Sequence, residues 1–143
     1  MVLEALKIYA KANTAPAMAR VVLQSDEGGL PGEEIYSWTL DVEEENHGNN
    51  YFLIVTTDLC IYLDADKYYW LTLHSEDTDS QILWYYSNNE TFTYSTSSDQ
   101  GENWEPVTTG NCGSLSVYAE YIYESDVVET VGDINEDGSA NIL

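Results

Sequence analysis

The chain has 143 residues, of which 26 are Asp or Glu and only 4 are Lys or Arg, a formal charge of −22 at pH 7. Nucleic acid and anionic membranes are excluded as partners, because their phosphates are held by Lys and Arg, and no apolar run approaches the ~20 residues of a membrane span. Hydrophobic residues still make up 43% and aromatic residues 13% of the chain, which excludes a disordered acidic polymer and suits one domain that buries roughly two-thirds of its unfolded surface.

Period-two alternation, the signature of half-buried strands, runs through most of the sequence, and helical periodicity is almost absent. Leu6, Ile8, Ala10 and Ala12 share one face, with Lys7, Tyr9 and Lys11 on the other. The opening residues thus read as a strand and not as a signal peptide, which needs a basic start and a longer apolar stretch. A turn at Asn13-Thr14-Ala15-Pro16 leads into Ala19, Val21 and Leu23. Residues 25–32, rich in Gly and Pro, predict a long turn. The next strand, 35–42, places Tyr36, Trp38, Leu40 and Val42 together, and residues 43–50 form a polar loop. Strands follow near 51–57, 59–63, 67–74, 81–87 and 91–95, and the last runs 114–124 with Leu115, Val117, Ala119, Tyr121 and Tyr123 on one face. Eight or nine short strands at this spacing predict an all-β fold, an antiparallel β-sandwich or jelly roll. Residues 1–124 form that module, and 125–143 form a short acidic C-terminal tail of different composition.

Cys60 and Cys112 admit one intramolecular bridge or two free thiols; a bridge across that separation is worth about 4 kcal/mol in the loop-entropy model. Asn89-Glu90-Thr91 is a glycosylation sequon. Enzymatic signals are weak: His47 and His74 stand apart, and neither a Gly-x-Ser-x-Gly nor a His-x-x-x-His motif is present. Among so many acids a close carboxylate pair carries no information, so the expectation is a protein that is not an enzyme. The aromatic residues Tyr68, Trp70, Trp84 and Tyr85 fall on strands expected to be neighbours, with Tyr86 and Tyr118 near them. Aromatic faces can stack sugar rings, but large aromatics in such domains also serve as core or cross-strand pairs. Alternation separates Tyr69, Leu71 and Leu73 from Tyr68, Trp70 and His74 without saying which set faces inward.

In the tail, Asp133, Asn135, Asp137 and Gly138 have the spacing of a calcium loop, in which oxygen ligands stand at positions 1, 3 and 5 and a Gly at 6. Ser139 supplies a backbone carbonyl at position 7 and Asn141 falls at position 9; position 12, the bidentate acid, would follow Leu143. The stretch 132–143 resembles the first calcium loop of a type I dockerin, which implies calcium as cofactor. A second motif, Ser97-Ser98-Asp99-Gln100-Gly101-Glu102-Asn103-Trp104, is similar to the Asp-box hairpin of sialidases and other secreted β proteins. Physically, Asp99 accepts bonds from the turn backbone, Gly101 takes positive φ and Trp104 packs the hairpin down. It staples a turn and does no chemistry.

Across residues 5–123 the order of features resembles the choice-of-anchor type of extracellular β-sandwich. The residues that carry the likeness are the Ser-Asp-x-Gly-Gly-x-Pro-Gly turn at 25–32, Tyr69-Trp70-Leu71, Trp84-Tyr85-Tyr86, the Asp-box turn and the terminal strand. The resemblance implies secretion or display at the cell surface and a non-catalytic accessory role. The expected partners are a second copy of the chain or another extracellular protein, or a glycan bound at surface Trp and Tyr side chains, with calcium helping to screen the charge at contacts between subunits.

Overall fold

The computed structural model describes residues 1–13, 18–42, 51–76, 82–85, 94–99, 101–107 and 113–120. In these segments the chain forms β1 (Val2–Ile8), β2 (Ala10–Ala12), β3 (Met18–Asp26), β4 (Pro31–Asp41), β5 (Phe52–Val55), a single 3-10 turn (Thr57–Leu59), β6 (Ile61–Tyr62), β7 (Tyr69–Ser75), β8 (Ile82–Trp84), β9 (Tyr94–Thr96), β10 (Glu105–Val107) and β11 (Leu115–Glu120). The fold is all-β, and every pairing among the described residues is antiparallel.

Two sheets carry most of the molecule. One has the order β11-β1-β5, with β6 also paired to β1; the other has the order β4-β3-β7. Two smaller ladders, β2-β8 and β10-β9, complete the described pairings. Leu3, Leu6 and Ile8 of β1, Phe52 and Ile54 of β5, and Ile61 of β6 join Ala19, Val21 and Leu23 of β3 in one buried cluster. Each main sheet therefore turns one face to a shared core, and that burial, at about 25 cal/mol per Å² of apolar surface, is the chief stabilising term.

The register decides the inward face of β7. Val21 lies opposite Leu73 and Leu23 opposite Leu71, so Tyr69, Leu71 and Leu73 pack against the core, while Trp70, Thr72 and His74 take the outer face. On the other flank Val21 pairs with Trp38 and Ala19 with Leu40, so the face shared by Tyr36, Trp38, Leu40 and Val42 is the one that packs against the core, although Tyr36 at its far end is exposed.

Three departures from the alternation have local causes. The first expected strand breaks at Tyr9 because that residue changes partners: its N–H donates to the Ser114 carbonyl at 3.1 Å, while its own carbonyl accepts from the Tyr85 N–H at 2.8 Å. Ile8 and Ala10 on either side are both fully buried, so the in–out alternation continues through the break. The expected long turn is instead tight. β3 reaches Asp26 and β4 starts at Pro31, closed by Glu27 N–H to Leu30 O at 2.9 Å and by Gly29 N–H to the Asp26 carboxylate at 3.1 Å. Gly28 and Gly29 supply the positive φ, +67° and +88°, that the closure requires.

The third departure is a bulge in β1 between Leu3 and Ala5, where its partner changes from β6 to β5. Buried Thr56 bridges it. Its hydroxyl donates to Leu3 O at 2.6 Å and its N–H donates to Glu4 O at 2.8 Å, satisfying carbonyls that the bulge takes out of the ladder. β10 had no counterpart among the expected strands; β9 overlaps the strand expected at 91–95, whose first three residues lie outside the described residues. Residues 121–143, with Tyr121 and Tyr123, lie outside the described residues.

Candidate interaction surface

The aromatic residues expected to form one ligand platform are divided by the fold. Trp84 pairs across from Ala10 and packs against the core; its indole N–H donates to Ser114 O at 3.0 Å, and the backbone of Gly113 lies flat against the indole, with no room for a Cβ. Trp70 is on the outer face of β7, its indole N–H held by the Asp26 carboxylate at 2.7 Å. Tyr68 precedes β7 and is 82% exposed. Tyr85 follows β8, beside Lys11. Trp84 thus turns toward the core from the β2-β8 ladder, whereas Trp70 lies on the outer face of the β4-β3-β7 sheet.

The Asp-box turn has the expected construction. Asp99 accepts from the Asn103 N–H at 2.9 Å, from the Asn103 amide at 2.6 Å and from the Ser97 hydroxyl at 2.7 Å. These bonds, those of Asn103 foremost, hold its carboxyl at about 2 instead of the ordinary 3.8. Gly101 has φ +92°, and its α-carbon faces the His74 ring so closely that a Cβ would collide with it. Trp104 meets that ring edge-on at 6.0 Å. The turn is therefore clamped onto the outer face of the β4-β3-β7 sheet.

Beneath it is a short polar chain. The Gln24 amide N–H donates to Gly32 O at 2.8 Å, which turns its oxygen toward the Thr72 hydroxyl at 3.0 Å. The single hydroxyl proton of Thr72 is thereby used, so His74 Nε2, also at 3.0 Å, is the protonated nitrogen that donates to Thr72. Burial, and secondarily the charge of Arg20, lowers the His74 pKa below 6.5, against a smaller opposing effect of Glu34. Arg20 is itself paired with Glu34 at 2.6 Å. The one hydroxyl beside the histidine, that of Thr72, already has its proton held by Gln24.

The outer face of the β11-β1-β5 sheet differs. Val55, Leu53 and Tyr118 are exposed on it, around Ala5 and Lys7 of β1 in register, and exposed Tyr62 lies across from Val2, beyond the bulge. At the end nearest β2 the face becomes aromatic and basic. The Lys7 ammonium stands 3.9 Å from the Tyr51 ring centroid and 5.0 Å from that of Tyr9, and Lys11 is 5.8 Å from Tyr85. Tyr9 and Tyr51 are 6.0 Å apart in a tilted pair. Hydrogen bonds from Ser116 and, next, Lys7 lower the Tyr9 phenol from its ordinary value. This row was missed in the sequence, where Lys7, Tyr9 and Lys11 stood out only as one face of the alternation; Tyr51 joins them through the β1–β5 pairing, which no local pattern encodes.

Cys60 is a free, exposed thiol in the left-handed region at φ +49°; Cys112, the other half of the bridge considered in the sequence, lies outside the described residues. So do the loop residues Asp133, Asn135, Asp137, Ser139 and Asn141, together with His47 and the sequon. Among the described residues no group of three or more His, Cys, Asp or Glu is placed to hold a metal ion, and no helix is long and apolar enough to cross a membrane. No protein-family model, curated protein or solved structure matches the chain.

Proposed function

We propose that this chain is a non-catalytic extracellular module of a cell surface or secreted assembly, built as a two-layer sandwich. It associates with itself or with another extracellular protein, and calcium binds at its C-terminal loop. The observation that carries this reading is the open apolar half of the β11-β1-β5 face, where Val55 and Tyr62 are 62% and 68% exposed in a chain whose charge of −22 would otherwise keep the surface polar. Large apolar side chains left exposed on a sheet face are the kind of surface that a partner covers. Calcium at Asp133, Asn135 and Asp137 would offset part of the repulsion between two such acidic bodies.

Light scattering during a calcium titration tests this. Particle size is expected to rise with calcium and to fall on chelation; Val55→Glu and the double change Asp133→Ala, Asp137→Ala are each expected to abolish the response. A size that never changes with calcium overturns the assembly reading.

A second reading, carbohydrate binding, is favoured by the tyrosine and lysine half of the same face. It replaces the Trp70–Trp84 platform with Tyr9, Tyr51 and Tyr85, retaining only Tyr85 of the aromatic residues first expected.

A further inference from the structure

Only four basic side chains serve 26 acidic ones, and two of the four are used in ion pairs, Arg20 with Glu34 and Lys67 with Asp64, each at 2.6 Å. Lys7 and Lys11 have no carboxylate partner among the described residues. Their ammonium groups stand over tyrosine rings instead. A ring face holds a cation without neutralising it, so the positive charge remains available to a ligand.

We infer that the face formed by Lys7, Tyr9, Lys11, Tyr51 and Tyr85 binds an acidic oligosaccharide, whose carboxylates meet the lysines while its rings lie along the tyrosines. This inference rests on the carbohydrate-binding reading and gives it a substrate class. Ser116 lies directly across from Lys7 in the β1–β11 register and its hydroxyl is engaged with the Tyr9 phenol, so the neutral donors that a sugar ring requires come from the tyrosine hydroxyls.

Three physical points favour a uronic-acid chain over an acidic peptide. The apolar C–H face of a pyranose matches an aromatic surface, which a Glu or Asp side chain does not use. A polyanionic peptide also brings dense charge against a body of −22, whereas sugar rings space their carboxylates apart. At physiological salt the Debye length is about 8 Å, so the local lysines, more than the distant acids, set the potential that a spaced carboxylate meets. The four residue steps from Lys7 to Lys11 span at most ~14 Å, further than one sugar ring reaches, so an oligomer engages both lysines and a monosaccharide only one.

The test is calorimetric titration of the full chain in calcium-free buffer with galacturonate oligomers, with neutral galactose oligomers of the same length, and with poly-glutamate. Galacturonate oligomers are expected to bind, with affinity falling as salt rises, and the neutral oligomers and poly-glutamate are not. Lys7→Gln and Lys11→Gln are each expected to weaken binding roughly tenfold with unchanged thermal melting, and Tyr51→Ala to weaken it comparably. Equal binding of the neutral oligomers overturns the acidic specificity and leaves the carbohydrate reading standing. Equal binding of poly-glutamate overturns the sugar as occupant, unchanged affinity in both lysine variants overturns the site, and binding of none of the three overturns both inferences.

Discussion

At the scale of single residues, Gly113 shows how a side chain that is not there decides where a large one goes. The Trp84 indole lies on its backbone and donates to Ser114 O next door. A methyl group at 113 has no room, so Gly113→Ala must push the indole aside and break that bond. The expected cost is about 1–3 kcal/mol, as for overpacked cores, measured by urea unfolding with a red shift in tryptophan emission. Gly28→Ala is the complementary case: unlike Gly113 that position has positive φ, but nothing stands near its α-carbon, so only backbone strain of about 1–2 kcal/mol applies. Composition identified Trp84 as a large apolar side chain. Its inward direction depends on Ala10 across the ladder, and so could not be read locally.

At the scale of elements, the β9–β10 hairpin was half legible. Ser-x-Asp-x-Gly-x-x-Trp announced a stapled turn, and the hydrogen bonds of Asp99 and the positive φ of Gly101 are those the residue types call for. β10 escaped notice because Glu105-Pro106-Val107 lacks alternation, and Pro within a run argues for an edge or for no strand. The Asp99 carboxyl is lowered from 3.8 to about 2 by its Asn103 and Ser97 bonds. Its contribution to the hairpin is therefore complete above pH 3.8 and is lost as the pH falls through about 2. The Asn103 amide resonance is expected to shift across that window in the native chain, and the step is expected to vanish in Asp99→Ala. His74 titrates separately. Its pKa is lowered by burial, so any weakening of its contact with Trp104 begins as the pH falls below 6.5, and His74→Gln removes that earlier step alone.

At the scale of the whole molecule, the charge of −22 acts against a core supplied by two sheets. Its two visible ion pairs are exposed, and pairs of that kind contribute about 0–1 kcal/mol each. Self-repulsion is thus screened chiefly from outside. The midpoint of thermal unfolding is expected to rise as sodium chloride is increased from about 0.01 M to about 1 M, since the Debye length contracts from about 30 to about 3 Å; scanning calorimetry would show it, and a flat or falling midpoint would mean that the acids are spaced widely enough not to repel.

The sequence by itself determined the all-β class, which residues of β1 and β3 share a face, that Gly28 and Gly29 make a turn, though a tighter one than expected, and the construction of the Asp-box turn. Each of these is written in neighbours two to four residues apart, through side-chain alternation or the φ that a glycine allows. Only the tertiary structure decided which face of β7 turns inward, that Trp84 packs against the core while Trp70 lies on the outer face of its sheet, and that Tyr51 comes to stand beneath Lys7. Those outcomes are set by strand register, because a shift of one residue exchanges the two faces of a strand. Register is fixed by the hydrophobic surfaces of partners distant in the chain, which no local spacing records.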